Sequence, residues 1–289
     1  VAIAGDSVVV GAMYAGNGAG AAYVFRTSDG GATYGQVAKL TASDAAAGDL
    51  FGISVAIDGD TVVVGANYEN SRRGAAYVFR TSDGGATYAQ VAKLRASDAA
   101  ASDNFGISVA IDGNTVVVGA YQYNSGGGSG VAYVFRTTDG GASYGQVVKL
   151  TASDAAGGNW FGYPVAIANG TIVVGAIGAG TGGAAYVFRT STCVSPETDG
   201  ECRAAVIAAG LSEGGCDFGF SGAYGVGRGC YTYEAGDPCA GSGFWSTSGD
   251  PTGDPGEGRV RVCSAEGPSD GGATYSQVGK LTAADVATG

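Results

Sequence analysis

Short apolar runs recur along the whole chain and are separated by glycine-rich polar segments. A run such as SVAID is followed by a two-residue turn and then by VVVGA, and an AYVFR run is followed by QVAKL. Runs of this length, rich in Val, Ile, Tyr and Phe, are typical of β-strands. The turn pairs Asp-Gly, Gly-Asp and Asn-Gly supply the positive φ that tight hairpins need. The pattern therefore predicts antiparallel hairpins.

The same four-run unit occurs four times. Its copies begin at Val1, Val55, Val109 and Val165, which gives spacings of 54, 54 and 56 residues. One copy predicts a four-stranded antiparallel meander, and a single such sheet cannot bury both of its faces. Stacking of copies solves this problem, and four strands per repeat is typical of a propeller blade. We expect an all-β array of sixteen principal strands, with sheets packed through Val, Ile and Phe.

The domain boundaries follow from the repeats. We expect four repeats at 1–54, 55–108, 109–164, and 165–192 together with 269–289. An insert at 193–268 interrupts the fourth repeat, at the tip of the hairpin between its third and fourth strands. Hairpin tips tolerate insertions because no buried backbone is disturbed.

All six cysteines lie in or at the edge of this insert: Cys193, Cys202, Cys216, Cys230, Cys239 and Cys263. An even number in a glycine-rich segment predicts three disulfides and an oxidising compartment. A zinc site is the alternative, but the chain has no CxxC pair and no histidine. Because the insert leaves and re-enters one hairpin, its ends lie close together, which favours a Cys193–Cys263 pair. The other pairings stay open.

Charge and composition exclude several functions. The net charge is −11, so the chain does not attract nucleic acid or anionic lipid. No apolar run approaches the roughly 20 residues that cross a bilayer. The absence of histidine excludes Ser-His and Cys-His catalysis, and the recurrent aspartates belong to turns and linkers. We therefore predict a protein that is not an enzyme and needs no cofactor.

The repeat resembles the FG-GAP repeat of integrin-type β-propellers. Phe51-Gly52 followed by SVAI is similar to the FG half, and VVVGA at 62–66 is similar to the GA half. The amino-acid sequence of the repeat, and the cysteine-rich insert, also resemble FG-GAP-type repeat proteins secreted by algae. The resemblance implies a β-propeller or propeller-like array and an extracellular or cell-surface location.

Two features depart from that family. The proline that follows GA in the family is replaced by Met13, Asn67, Tyr121 and Ile177. The calcium-binding loop between the first two strands is also missing, because a two-residue turn offers too few oxygens. We expect no calcium there and interpret Asp58 and Asp112 as turn residues. Weaker calcium binding in the linkers is the alternative, through Asp44 and Asp49 or Asp98 and Asp103.

Near-identical repeats of low charge favour a structural building block of an extracellular assembly, such as a surface coat, matrix fibre or flagellar-hair-like filament. The chain starts in a strand and stops in a linker, so we expect head-to-tail or lateral self-assembly, with a closed ring as the alternative. Adhesion or carbohydrate binding through the insert is the competing function, and its partners are glycans or matrix proteins. Its candidate stacking residues are Tyr231, Tyr233, Phe244 and Trp245. Asn169, in the sequon Asn-Gly-Thr, is a candidate N-glycan site.

Overall fold

A computed structural model describes residues 1–121, 128–191 and 274–282, together with five short strands between them. The first compact unit, Val1–Arg189 with Tyr275–Gly289, holds four antiparallel sheets of four strands each. The prediction of sixteen principal strands in an all-β, propeller-like array is confirmed. In these four sheets the strands are ordered as in the sequence, so each sheet is an antiparallel meander, interrupted in the fourth by the insert.

The first two sheets have nearly identical strand bounds. Sheet 1 consists of β1 (Ala2–Ala4), β2 (Ser7–Ala12), β3 (Ala21–Arg26) and β4 (Gly35–Leu40). Sheet 2 consists of β5 (Ser54–Asp58), β6 (Thr61–Ala66), β7 (Ala75–Arg80) and β8 (Ala89–Leu94). In both sheets a register shift interrupts the pairing of the third and fourth strands, between Val24 and Phe25 and between Val78 and Phe79.

The third and fourth sheets repeat this plan. Sheet 3 consists of β9 (Ser108–Asp112), β10 (Thr115–Ala120), β11 (Val131–Arg136) and β12 (Gly145–Leu150). Sheet 4 consists of β13 (Phe161–Ala168), β14 (Thr171–Ala176), β15 (Ala184–Ser191) and β21 (Thr274–Leu281). The last strand of sheet 4 thus comes from beyond the insert and pairs beside β15.

Three hydrophobic clusters hold the sheets together, one between each pair of neighbours. Between sheets 1 and 2, Val9 and Val24 pack against Val62, Val64 and their neighbours, and all four are fully buried. In sheet 2 both faces are covered, so that Val63 on the opposite face is fully buried against sheet 3. The packing of successive sheets through valine and phenylalanine agrees with the expectation from the repeat.

Two short helical turns join the second and third strands of the first two sheets. They are α1 (Ala15–Gly18) and α2 (Glu69–Arg72), and both contain residues with left-handed backbone angles rather than regular helix. The linkers at 41–53 and 95–107 pair with α1 and α2, and the linker at 151–160 pairs with Gly128 in the loop between β10 and β11. For example, the backbone N–H of Leu50 donates to Gly18 at 2.9 Å, and that of Asn104 donates to Arg72 at 2.8 Å.

The second compact unit spans Thr190–Thr274. Its described strands are β16 (Ser212–Glu213), β17 (Ser221–Gly222), β18 (Gly229–Tyr233), β19 (Ser242–Ser246) and β20 (Arg259–Arg261). They form one sheet in which β19 lies next to β18 and β18 next to β20. Of the six cysteines, Cys230 lies on β18, and the other five, with the predicted Cys193–Cys263 pair, lie outside the described residues. Across the described part of the chain, no helix is long and apolar enough to span a membrane.

Candidate functional site

The contacts between neighbouring sheets recur with the same residues, and we call each contact, with its linker, a seam. Seam 1 joins sheets 1 and 2, seam 2 joins sheets 2 and 3, and seam 3 joins sheets 3 and 4. A buried phenylalanine from the linker lies at the centre of each: Phe51, Phe105 and Phe161. The ring of Phe51 lies 5.4 Å from that of Tyr77 and 5.9 Å from that of Phe79 in an edge-to-face arrangement. Such aromatic pairs add specificity to the area they bury.

The glycine after this phenylalanine is held between two sheets. The backbone N–H of Gly52 donates to Gly65 of sheet 2 at 2.9 Å, while its carbonyl lies against Gly11 of sheet 1. A Cβ added at Gly11 would collide with that carbonyl, so the close approach requires glycine there. The same arrangement repeats along the array in a glycine column made of Gly11, Gly52, Gly65, Gly106, Gly119 and Gly162.

A tyrosine, an aspartate and a lysine form the same cluster at every seam. At seam 1, Tyr77 Oη donates to Asp44 Oδ1 at 2.9 Å, and Lys93 forms an ion pair with the same carboxylate. The lysine ammonium also lies 5.1 Å from the centre of the tyrosine ring, which favours a cation–π contact. The corresponding clusters are Tyr133–Asp98–Lys149 and Tyr186–Asp154–Lys280.

These clusters keep their ionised aspartates far from proton-transfer chemistry at neutral pH. Burial tends to raise the pKa of Asp44, but hydrogen bonds from Lys93 and Tyr77 outweigh it and lower the pKa below its usual value. Hydrogen bonds from lysine and tyrosine likewise lower the pKa of Asp98. Burial, together with the bond to Asp44, raises the pKa of Tyr77 far above its usual value. Each cluster thus joins a linker aspartate to a tyrosine and a lysine of the next sheet.

A glutamine and a serine form a second contact at each seam. Gln90 Oε1 accepts the backbone N–H of Ser43 at 2.9 Å, and Gln90 Nε2 donates to the Ser43 hydroxyl at 3.1 Å. The pairs Gln146–Ser97 and Gln277–Ser153 repeat both bonds. The sequence analysis missed these residues, although their recurrence at one phase of every repeat was a usable signal.

The recurrent arginine and lysine of each repeat have different partners. Lys93, Lys149 and Lys280 pair with linker aspartates, as described above. Arg80 does not: its Nη1 donates to the carbonyl of Gly140 in the glycine-glycine turn of the next repeat. That turn is rigid because Asp139 accepts bonds from Thr137 and from Ser143, at 2.7 Å and 2.5 Å. The arginine therefore ties one repeat to the turn of the next.

Sheet 2 carries an additional buried charge. Glu69 is 7% exposed, and its Oε1 is bonded to Lys93 at 3.1 Å and to Arg95 at 2.6 Å. Its Oε2 has no hydrogen-bond partner among the described residues. Burial raises the pKa of the neighbouring Asp49, and the negative charge of Glu69 raises it further. The equivalent of Glu69 in sheet 1 is Ala15, so this cluster belongs to the second repeat.

The turn aspartate Asp58 and the linker aspartates considered for weak calcium binding have partners within the chain. Asp58 Oδ2 accepts the backbone N–H of Gly113 at 2.6 Å, which joins neighbouring hairpin tips. In the linkers, Asp49 and Asp103 accept the backbone N–H groups of Ala46 and Ala100. Within the described ranges, no three acidic, cysteine or histidine side chains are grouped to hold a metal ion. Both the absence of calcium at the hairpin turns and its weak binding in the linkers remain predictions.

The remaining predicted site residues are divided between the two units. Asn169 is exposed in the turn between β13 and β14, with a φ of 50°. Tyr231 and Tyr233 lie on β18, and Phe244 and Trp245 lie on the adjacent antiparallel strand β19. Tyr231 is paired in register with Phe244, so the backbone places two of the proposed stacking residues opposite each other.

Three stretches of the chain match the family model of the FG-GAP repeat. They are residues 34–79, 88–135 and 144–188, and each runs from the fourth strand of one sheet through a linker into the third strand of the next. Each match therefore contains one complete seam linker with its Phe-Gly pair. No match was found among curated proteins.

Solved structures show only distant similarity. The chain is similar to Sqt1 of Saccharomyces cerevisiae at 11% identity and a TM-score of 0.38, over 64% of this chain and 41% of that one. It is also similar to the leech intramolecular trans-sialidase at 13% identity and a TM-score of 0.34, over 55% and 24%. The chain thus spans less than half of either protein. These similarities carry no activity over to it.

Proposed function

The chain is built from FG-GAP repeats in a propeller-like array, and from this premise we propose that it is a non-catalytic structural building block of an extracellular assembly. The assembly would be a surface coat, a matrix fibre or a flagellar-hair-like filament. The observation that carries the proposal is the recurrence of one seam three times, with the same phenylalanine, glycine, ion-pair and amide contacts. Among the described residues, these recurrent contacts thus join one repeat to the next.

The family match and the chemistry of the seams both support a non-catalytic role. FG-GAP repeats generally form non-catalytic binding domains and are typically extracellular. The recurrent aspartates of the seams are ionised and bonded to lysine and tyrosine, which leaves them unsuited to accept or donate protons near pH 7. This supports a role in packing rather than in turnover.

The outer faces of sheets 1 and 4 resemble the two halves of a seam. On sheet 4, Val173, Gly175 and Ala185 line an open groove of about 390 Å³, whereas their equivalents in sheet 2 are buried by sheet 3. On sheet 1, Ile3 is 68% exposed, and Lys39 lies 5.9 Å from the Tyr23 ring as in the seam clusters. These faces support head-to-tail packing of copies, because apolar sheet faces favour burial.

Sedimentation of the purified full chain over a range of concentrations tests the proposal. We expect concentration-dependent oligomers, and we expect Val173→Lys to abolish them because a charge would be buried in the new seam. Ser28→Lys places the same charge on an exposed turn and should assemble like the native chain. A native chain that stays monomeric at high concentration contradicts the proposal.

Adhesion or carbohydrate binding through the insert is the second candidate function. The in-register pairing of Tyr231 with Phe244 on adjacent strands favours it, since paired aromatic residues can form a stacking surface. A glycan array with the native chain and with Tyr231→Ala separates the two candidates. Glycan binding that is lost in the variant would favour adhesion.

A further inference from the structure

Aromatic and apolar side chains are exposed where repeats 3 and 4 meet. Trp160, in the linker, is 36% exposed, Tyr163 is 42% exposed and Ile177 is 50% exposed. The ring of Tyr121 lies 6.1 Å from that of Tyr163, at an angle of 39°. We call Tyr121, Trp160, Tyr163 and Ile177 the aromatic rim.

Backbone contacts hold the parts of the rim together. The N–H of Gly178 donates to the carbonyl of Asn159 at 3.1 Å, which fixes the residue after Ile177 beside the residue before Trp160. Tyr163 is paired with Ala176, the residue before Ile177. A Cβ at Gly178 would collide with the carbonyl of Gly158, so the two loops approach closely. The rim is therefore a fixed surface rather than a set of unrelated loop residues.

The other repeats show that the fold does not need these aromatic residues. Positions 50, 104 and 160 have the same backbone, with φ of 57°, 57° and 56°, but carry Leu, Asn and Trp. A bulky residue in this left-handed region is unfavourable, and asparagine is the better-tolerated solution. Leu50 shows that a bulky side chain is also accommodated at this angle, but Trp160 presents there an aromatic surface that is 36% exposed. Likewise Tyr163 stands where repeats 1 and 2 have Ile53 and Ile107.

The surroundings of the rim indicate the chemistry of a ligand. Neighbouring loop residues 178–183 are glycine, alanine and threonine, and they offer backbone and hydroxyl groups without charge. Exposed aromatic rings beside neutral hydrogen-bonding groups suit the alternating apolar faces and hydroxyl edges of a pyranose ring. The chain's net charge of −11 disfavours acidic polysaccharides, so a neutral ligand is the better fit.

We propose that the aromatic rim binds a neutral β-linked polysaccharide, whose sugar rings stack on Trp160 and Tyr163. Extended β-linked chains present flat pyranose faces at regular intervals, which a fixed aromatic surface can follow. The site is distinct from the aromatic residues of the insert, and it does not depend on the assembly role.

The test uses the full chain in native gels that contain laminarin, hydroxyethylcellulose or galactomannan, with alginate as the acidic probe. We expect at least one neutral polysaccharide to retard the native chain, and we expect alginate to have no effect. Trp160→Asn and Tyr163→Ile install the residues that repeat 2 carries at the equivalent positions, and circular dichroism checks that each variant folds. Each should weaken binding by about tenfold, as removal of an aromatic anchor does.

Two controls identify the site. Tyr14→Ala removes a tyrosine that is 73% exposed on repeat 1 and should leave gel mobility unchanged. Trp160 and Trp245 are the two tryptophans of the chain, so in Trp245→Phe the fluorescence reports on Trp160 and should change on titration with the retarding polysaccharide. The proposal fails if no neutral polysaccharide retards the native chain, or if Trp160→Asn is retarded equally. It also fails if that variant alters self-association alone.

Discussion

The loops α1 and α2 have nearly the same backbone and very different chemistry. The three left-handed residues of α1 have φ of 59°, 60° and 79°, and those of α2 have φ of 49°, 60° and 64°. In α1 these residues are Gly16, Asn17 and Gly18, which adopt such angles readily. In α2 they are Asn70, Ser71 and Arg72, which adopt them less readily.

The difference is balanced by side-chain contacts that α1 lacks. Glu69 binds Lys93 and Arg95, and the Arg72 guanidinium lies 4.5 Å from the centre of the Tyr68 ring. Sheet 1 has Ala15 and Thr41 where sheet 2 has Glu69 and Arg95, so α1 makes no such pair. The same loop conformation therefore forms in two ways. In α1, glycine and asparagine adopt the left-handed angles readily. In α2, side-chain contacts stabilise residues that adopt these angles less readily. Both loops pack against seams that contain the same residues. We therefore expect changes in the seams to lower stability more than changes in the loops.

The largest expected effect is on the part that both repeats share. Phe51→Ala and Phe105→Ala each remove a fully buried ring at the centre of a seam, and each should lower the free energy of unfolding by about 3–5 kcal/mol. Urea unfolding followed by circular dichroism measures both. A loss confined to one of the two variants would show that the seams are not equivalent.

The second-largest expected effect distinguishes α2 from α1. Glu69→Ala leaves Lys93 with Asp44 and leaves the half-exposed Arg95 without its partner, and it should cost about 2 kcal/mol. Arg95→Thr in the same chain gives repeat 2 the residues of repeat 1 and should recover part of the loss. Equal losses in the single and double variants would show that Glu69 is stabilising through packing alone.

The third-largest expected effect is a loss of stability at low pH. The folded-state pKa values of Asp44, Asp98 and Asp154 are lowered, so their stabilising contribution is present above the unfolded pKa of about 3.9 and is lost as pH falls through the lowered folded values. We expect the urea midpoint to fall below about pH 4, and to fall less steeply in Asp98→Asn. An unchanged slope in that variant would contradict the role of the cluster.

Asp49, at seam 1, acts in the opposite direction. Its folded-state pKa is raised by burial and by nearby negative charge, so its contribution is present at low pH and is lost as pH rises through the folded value. Asp49→Asn should therefore be at least as stable as the native chain at pH 7 and should match it at pH 3. A variant that is destabilised at pH 7 alone would refute this sign.

The smallest effect tests backbone strain. Ser71→Gly should raise the free energy of unfolding by about 0.5–1 kcal/mol, because glycine adopts a φ of 60° without steric cost. Asn17→Gly in α1 is the matched control and should change stability less, since asparagine already tolerates this region. Thermal unfolding resolves such differences when both variants are measured together.

Structural features that depend on a few neighbouring residues could be predicted from the sequence. The hairpin turns, the strand count and the four sheets all follow from local turn chemistry and from the spacing of the repeats. Contacts within the seams were harder, because they join residues far apart in the chain, such as Asp44 with Lys93 or Gln277 with Ser153. The pairing of lysine with aspartate could be proposed from charge, but the partner of Arg80 could not, since it is a backbone carbonyl.

Burial in the loops was the least predictable feature. A glutamate in a glycine-rich loop is normally solvent-exposed, so the burial of Glu69 depends on Lys93 and Arg95, which follow it by 24 and 26 positions. Trp160 is the converse case, because a tryptophan before a core phenylalanine is expected to be buried with it. The left-handed backbone does not by itself set this exposure, because Asn104 has the same φ and is buried.

The glycine column has a consequence for how such genes change length. Each step of the column joins backbone to backbone, so it does not depend on which side chains a neighbouring repeat carries. Recombination between near-identical coding segments would therefore delete or duplicate whole repeats and leave every remaining junction intact. Arrays of this kind are expected to vary among relatives in steps of one repeat, about 54 residues, rather than by small insertions within the strands.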